Sequence, residues 1–509
     1  MNEQKKKIFN YRPIVIVSLM LIAGSVFCVC AKLYANMYLV AMFSVLLILG
    51  ISILFKKNID LLRFYKLFAL IVLVPFLIGA IYTELKINNL LNVQINSGYY
   101  SISGKVDSIT MLDEGVYLLR IDSLTIDGEE LNKSAKVSLV YSGDNSKDLN
   151  LGDTVLANGR LVVSGNLKEK IDNGLDNLTF GTFTTNSLTI NKSGSVRAII
   201  KSAVKDKIYS CFDEESAMTA YAMLFGDKSD MRPDIKKNFS LAGLSHVLAV
   251  SGLHVGFIIA LFGFLLSKLI KNKYAYSGLM LLIILVYAYF CNFSVSVLRA
   301  TVMASVLMLA TISGRQYDKI NSLAVASIVC FMINPLCVYG LSYMLSFSVV
   351  FAIVALSPII QEKLSKVMPR NLSTAISVSG SAWIGSVGTL LHYFNSISIY
   401  SIIINLIIIP YVGFVFMILV VSLIVSFVPM LEFVLQIPNF LYKLLYFVTE
   451  GFASIKGASI HLSCDFCGIL LVACAIILIG DYSFVKHKNK LLAILSGAIV
   501  VDCILSSLL

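Results

Sequence analysis

The sequence predicts a polytopic α-helical membrane protein with a small extracellular β-barrel domain inserted among its helices. Three observations predict it. Hydrophobic residues make up 57% of the 509 residues and charged residues 14%, against roughly 45–50% and 25% in soluble domains. Apolar runs long enough for a hydrocarbon core of roughly 30 Å recur along the chain. Between residues 88 and 190 these runs stop, and Gly, Asp, Asn, Ser and Thr rise. The same composition excludes disordered, collagen-like and coiled-coil chains.

Residues 1–87 read as a three-span segment, with apolar runs near 13–31, 35–55 and 67–83. Lys5, Lys6 and Lys7 precede the first run, and Lys56, Lys57, Arg63 and Lys66 lie between the second and third. The bias of Lys and Arg toward cytoplasmic loops places the N-terminus and this loop inside, and Glu84 outside. Further spans follow the first at once, so it reads as a retained helix and not as a signal peptide. Most of the net charge of +11 follows the same loop bias.

Residues 88–190 carry short strand-like pieces, Tyr100–Ile109, Val116–Ile126, Ala135–Tyr141 and Thr154–Val163, separated by Gly- and Asp-containing turns. They suggest a small barrel on the outer face, of the oligonucleotide-binding type. Tyr99, Tyr100, Tyr117 and Tyr141 are the candidate base-stacking aromatics. Residues 191–239 hold an amphipathic stretch. In it Val196, Ile199, Ile200, Val204 and Ile208 form a stripe against Lys201, Lys205 and Lys207, as for a helix on a membrane surface. A shorter apolar piece, 216–225, suits a packed or re-entrant helix.

Residues 240–509 read as a polytopic domain of about ten spans, near 241–267, 276–292, 296–312, 320–333, 340–360, 373–391, 397–427, 430–449, 464–480 and 490–508. Pro410 makes 397–427 either one kinked helix or a hairpin. The total of thirteen puts the C-terminus outside. Of ten cysteines only Cys464 and Cys467 have CxxC spacing, with His461 upstream. They carry no assigned role.

The densest polar signal in an apolar setting runs from Gly243 to Gly256. It holds His246, Ser251 and His254. On a continuous helix, eight residues would bring the two histidines to within roughly 80° of one face. Gly243, Gly252 and Gly256 would permit close helix approach or a local break. Arg299, Ser342, Ser346, Thr389, His392 and Asn405 add polar groups to later spans. Such groups face protein or a water-filled path. They read as a polar translocation track or as an interhelical hydrogen-bond network. Arg299 either snorkels to the surface or faces the path and meets a phosphate. Ser251 with a histidine base is a weaker, hydrolytic reading, for which only Asp227 or Asp230 offers a carboxylate. The sequence has no P-loop and no HExxH, and no cofactor or metal site is expected.

With these motifs the chain resembles the ComEC/Rec2 family of competence proteins. The stretch Gly243–Gly256 resembles the family's central motif, with His246, Ser251, Gly252 and His254 in place. Ala222 to Asp227, Arg299-Ala300 with Met303, Asn334-Pro335 with Gly340 to Phe347, and Gly388 to Phe394 with Asn405 to Pro410 resemble its other elements. Residues 88–190 resemble its oligonucleotide-binding-like domain, although Asn173 to Asp176 is a degraded version of the usual motif.

The resemblance implies an inner-membrane channel for single-stranded DNA in natural transformation. It also implies a separate cytoplasmic helicase-like ATPase and an outer DNA receptor. An external barrel would receive the strand, and the polar residues would line its passage. The family's metallo-β-lactamase-like domain has no counterpart before Leu509, so a form without that nuclease domain is expected, with any nuclease a separate protein. A small-molecule or ion transporter and a non-transporting structural membrane protein are the other readings, and an oligomer is open to all of them.

Overall fold

The computed structural model describes residues 12–33, 69–91, 95–113, 116–130, 136–142, 152–163, 181–192, 194–398, 401–428, 430–453 and 459–461. The expected spans near 35–55, 464–480 and 490–508, the Cys464/Cys467 pair, and residues 67–68 at the start of the third run fall outside them.

The first described helix, α1 (Pro13–Leu33), packs along α2 (Val74–Leu91), which continues from a π-helical turn at Ala69–Leu73. The two run parallel. Leu21 lies against Gly79, Thr83 donates to Ser25 Oγ at 2.9 Å, and Lys32 bonds Asn88. Ser18 donates to Ser327 Oγ at 2.9 Å, and Ser327 pairs with the Tyr343 hydroxyl at 2.6 Å. These short hydroxyl bonds join α1 to α9 (Lys319–Ile333) and α10 (Leu341–Leu364). Between apolar helices, such bonds supply cohesion that hydrophobic burial does not.

After α2 the chain forms strands β1 (Gly98–Asp113), β2 (Val116–Ile126), the two-residue β3 (Glu129–Glu130), β4 (Val137–Ser142), β5 (Thr154–Val163), β6 (Gly181–Thr185) and β7 (Leu188–Asn191). β1 pairs with β2 and β5, β2 with β4, β4 with β6 in parallel, and β6 with β5. The circuit β1–β2–β4–β6–β5 therefore closes into a five-stranded barrel, with β7 added beside β5. Alternation along the strands points Ile102, Val106, Leu119, Ile121, Val137, Leu139, Val155, Leu161 and Phe183 into one sealed core.

Helices α3 (Val196–Cys211), α4 (Glu214–Phe225) and α5 (Pro233–Leu241) follow. The apolar piece expected at 216–225 is a packed helix, buried from Ser216 to Leu224. α3 departs from the surface-helix expectation. Lys201 is buried beside Val204 and Ile208, while Val196, Ile199 and Ile200 are exposed. Its lysines turn inward because acidic partners wait there.

The bundle continues with α6 (Gly252–Leu269), α7 (Lys273–Phe290), α8 (Val295–Ser313), α9, α10, α11 (Arg370–Phe394), α12 (Ser401–Ser426) and α13 (Gln436–Ala453). Among the described residues seven helices are long and apolar enough to cross a membrane, and α1 and α9 are shorter apolar helices. The span expected at 241–267 begins only at Gly252. Residues 242–251 are turns. The span expected at 430–449 is not among the seven. Its helix α13 carries Gln436, Asn439, Lys443 and Glu450 between exposed Ile437, Phe440, Leu444 and Phe447. Pro410 does not break 397–427 into a hairpin. α12 runs through it as one helix.

Candidate functional site

The histidine motif is built by a helix start. Ser251 is the N-cap of α6, in an extended conformation, and its Oγ accepts from the Leu253 N–H at 3.2 Å. The Ser251 N–H donates in return to His254 Nδ1 at 3.2 Å. His254 thus takes the place of the acidic residue in a capping box and satisfies donors that a helix end otherwise leaves open. Because Nδ1 accepts, the neutral ring carries its proton on Nε2. That nitrogen is buried without a partner in a residue of 0% exposure. The Phe416 ring of α12 stands edge-on to the imidazole at 5.0 Å.

Arg299 of α8 lies against this helix start. A Cβ at Gly252 would fall 2.3 Å from its Nη2. Its Nη1 donates to the Ser346 carbonyl of α10 at 2.5 Å, and its guanidinium sits 6.0 Å from the Phe347 ring centre. Arg299 is 6% exposed, and its Nε has no partner. None of the ion pairs among the described residues involves it. A buried cation without a carboxylate is costly, and the α6 N-terminus adds positive potential beside it. Both favour an anion at this point.

The structure therefore brings together Ser251, Gly252, His254, Arg299 and Ser346, residues up to 95 positions apart in sequence. Ser346 contributes its carbonyl. Of the others, His246 lies near His254 but off its helix, and the rest are placed elsewhere. His246 is not on a helix with His254. It lies in the turns before Ser251, because Gly243 takes a left-handed φ of 72° and ends the α5 segment. Nothing lies within 4 Å of a Cβ built on Gly256, so no close approach requires that glycine. Ser342 is exposed in the first turn of α10. Thr389, 1% exposed, is buried on α11, the helix packed along α10, and its Oγ1 has no partner. His392 stacks edge-on with Tyr393 at 4.9 Å in the last turn of α11, and Asn405 sits near the start of α12 with its side-chain oxygen unpartnered. Phe416, which flanks the histidine, carries no sequence signal because it belongs to an apolar run, whereas Phe347, beside the arginine, closes the Gly340 to Phe347 element.

The turn that leads toward the site is held by ion pairs. Lys201 Nζ lies 3.8 Å from Asp227, both buried, and 5.2 Å from the Phe225 ring centre. Lys205 pairs with Asp230 at 2.6 Å, and the Tyr209 hydroxyl donates to the same carboxylate at 3.0 Å. Burial pushes the Lys201 ammonium below its usual range, and Asp227 opposes the shift. Burial and the Asp230 carboxylate both push the Tyr209 phenol up.

The barrel offers less for stacking than the sequence suggests. Tyr141 is buried, Tyr117 and Tyr100 pack against the core, and Tyr99 alone stands free at 82% exposure.

An α-helical bundle with seven apolar helices of spanning length among the described residues, joined to a closed β-barrel, defines a multi-pass membrane protein. Residues 223–486 match the Competence family, described as "Competence protein", and the chain belongs to that family. Over 205 residues it is 27% identical to ComE operon protein 3 of Bacillus subtilis (strain 168), covering 40% of this chain and 26% of that protein. An uncharacterized protein of Aquifex aeolicus (strain VF5) is 30% identical over 194 residues, 38% of this chain and 43% of its own length. The chain thus matches less than half the length of either relative. No solved structure matches it.

Proposed function

We propose that this protein forms the membrane passage for single-stranded DNA during natural transformation, and that Arg299 with the first turn of α6 holds a backbone phosphate of the passing strand. One observation carries the reading. Arg299 is a buried guanidinium with an unpartnered Nε and, among the described residues, no ion pair, pressed against the start of a helix. A phosphodiester is the anion that a DNA strand presents at every step, and planar guanidinium donors suit its oxygens. A charge inside a membrane bundle is a mark of an ion or substrate pathway. Membership of the Competence family agrees with this use.

The domain reading follows the same lines. Residues 1–87 are a three-span segment, 88–190 an extracellular oligonucleotide-binding-like domain, 191–239 linking helices and 240–509 the competence membrane domain. Support for the second comes from the five-stranded circuit with its parallel β4–β6 pair. His246, Ser342, Ser346, Thr389, His392 and Asn405 join the passage as further polar groups. Pulling is left to a separate cytoplasmic ATPase, and capture to an outer receptor. The hydrolytic alternative loses its carboxylate, since Asp227 and Asp230 are held by Lys201, Lys205 and Tyr209.

The test is uptake of end-labelled DNA into nuclease-protected form by cells carrying wild-type or Arg299→Ala protein at equal membrane level. Loss of protected label with surface binding intact supports the assignment. Normal protected label in Arg299→Ala removes Arg299 from the pathway.

A further inference from the structure

The outer wall of the barrel carries a second arrangement of polar groups. Side chains of Tyr99 and Ser101 leave β1 on the same face as Asn158 and Arg160 of β5, with Tyr99 opposite Arg160 and Ser101 opposite Asn158. Asp127 closes one end from the turn after β2, its Oδ1 accepting from the Ser101 N–H at 2.8 Å. Tyr99, Tyr100, Ser101, Asp127, Asn158 and Gly159 line a shallow recess of about 360 Å³.

Three features decide what such a recess holds. Tyr99 presents a broad apolar ring face to solvent, where a lone exposed aromatic has no packing role to play. Asp127 and Asn158 in the lining, with Arg160 opposite Tyr99 on the neighbouring strand, supply acceptors and donors for hydroxyls. Residues 88–190 contain thirteen Asp and Glu against eight Lys and Arg. A polyanion gains its affinity from cations and counterion release, so an acidic barrel disfavours one. Small five-stranded barrels of this kind take oligosaccharides as well as oligonucleotides.

We propose that this recess binds a neutral polyhydroxylated chain, a glycan, with one sugar ring stacked on Tyr99 and its hydroxyls bonded by Asp127, Asn158 and Arg160. The assignment stands apart from the passage of DNA through the bundle. A glycan seat would hold the barrel against a carbohydrate layer while the bundle acts on the strand.

The experiment titrates chitotetraose, and separately a twelve-nucleotide oligo-dT, into the full-length protein in nanodiscs, by calorimetry. Saturable chitotetraose binding is expected, weakened about tenfold by Tyr99→Ala and by Asn158→Ala, and kept by Tyr99→Phe. Cellohexaose and maltohexaose serve as further neutral probes. Absence of saturable binding of all three glycans overturns the proposal, as does glycan binding that Tyr99→Ala leaves unchanged. Oligo-dT binding lost in Tyr99→Ala and Arg160→Ala, without glycan binding, assigns the surface to nucleic acid instead. DNA uptake by the Tyr99→Ala cells reads the bundle separately, so failure of one assignment is distinguishable from failure of the other.

Discussion

Arg299 occupies the space that a side chain at residue 252 would need. A Cβ on Gly252 would meet its Nη2 at 2.3 Å and the Ala300 Cβ at 3.3 Å. Gly252→Ala must therefore push the guanidinium away from the α6 start, an overpacking worth about 1–3 kcal/mol. Protected DNA label is expected to fall about tenfold at unchanged membrane level, since about 1.4 kcal/mol is tenfold in an equilibrium. Adding Arg299→Ala to Gly252→Ala should restore thermal stability in detergent without restoring uptake. Recovery of both would make the contact purely structural.

Ser251 separates a cap from a nucleophile. As an N-cap it should tolerate Asn or Asp, whose side-chain oxygen accepts the same N–H bond, whereas Ser251→Ala should cost about 1 kcal/mol. Uptake by Ser251→Asn cells close to wild type is the expected result. A hydrolytic serine would lose all activity in that variant, so a dead Ser251→Asn protein of normal stability would reinstate the catalytic reading.

Thr389 and Gly385 lie on the same helix face, spaced by one turn. A Cβ on Gly385 would sit 2.6 Å from the Ala352 Cβ and 2.9 Å from the Ser348 carbonyl oxygen. Gly385→Leu is expected to separate α10 from α11, seen as loss of the folded peak in detergent size-exclusion profiles. Thr389→Val keeps the volume and removes an unpartnered hydroxyl, so stability should hold or rise slightly. A fall in uptake with Thr389→Val at normal stability would show that the hydroxyl faces the strand after all.

Lys201 and Asp227 form a buried pair at 3.8 Å. Lys201→Met leaves a buried carboxylate without its cation, a loss of about 3 kcal/mol, and Lys201→Met with Asp227→Asn should recover most of it. The pH dependence has a definite sign. The native Lys201 pKa lies below its unfolded value near 10.5, so the unfolded chain binds more protons between the two. Stability from this group rises as pH climbs through that window and is flat below it. Thermal unfolding just below pH 10.5 should show that slope in wild type and lose it in the double variant. An identical slope in both would place the titration elsewhere.

The parts of the fold legible in the sequence are those set by local composition. Apolar runs of spanning length became α6, α7, α8, α10, α11 and α12, and the polar stretch after the first runs became strands. Period-based inference failed where a cap intervened. The stretch around His246 is apolar enough for a helix, yet the left-handed Gly243 and the capping box at Ser251 start α6 late. The α3 lysines misled for a related reason. A Lys-rich stripe reads as a solvated face, and only Asp227 and Asp230, from a different segment, make it an inner one.

By itself the sequence determined that the chain lives in a membrane, that it holds a small β domain, and that its motifs are those of competence proteins. The first two follow from residue type over short windows, where transfer free energy and strand or helix period act locally, and the third from the resemblance of its motifs. Only the tertiary structure decided that Arg299 faces Gly252 and the Ser346 carbonyl, that Thr389 packs inside a helix pair, and that Tyr99 stands free beside Arg160. Which polar group meets which is set by helix crossing and strand register between distant segments. No single window of sequence contains that information.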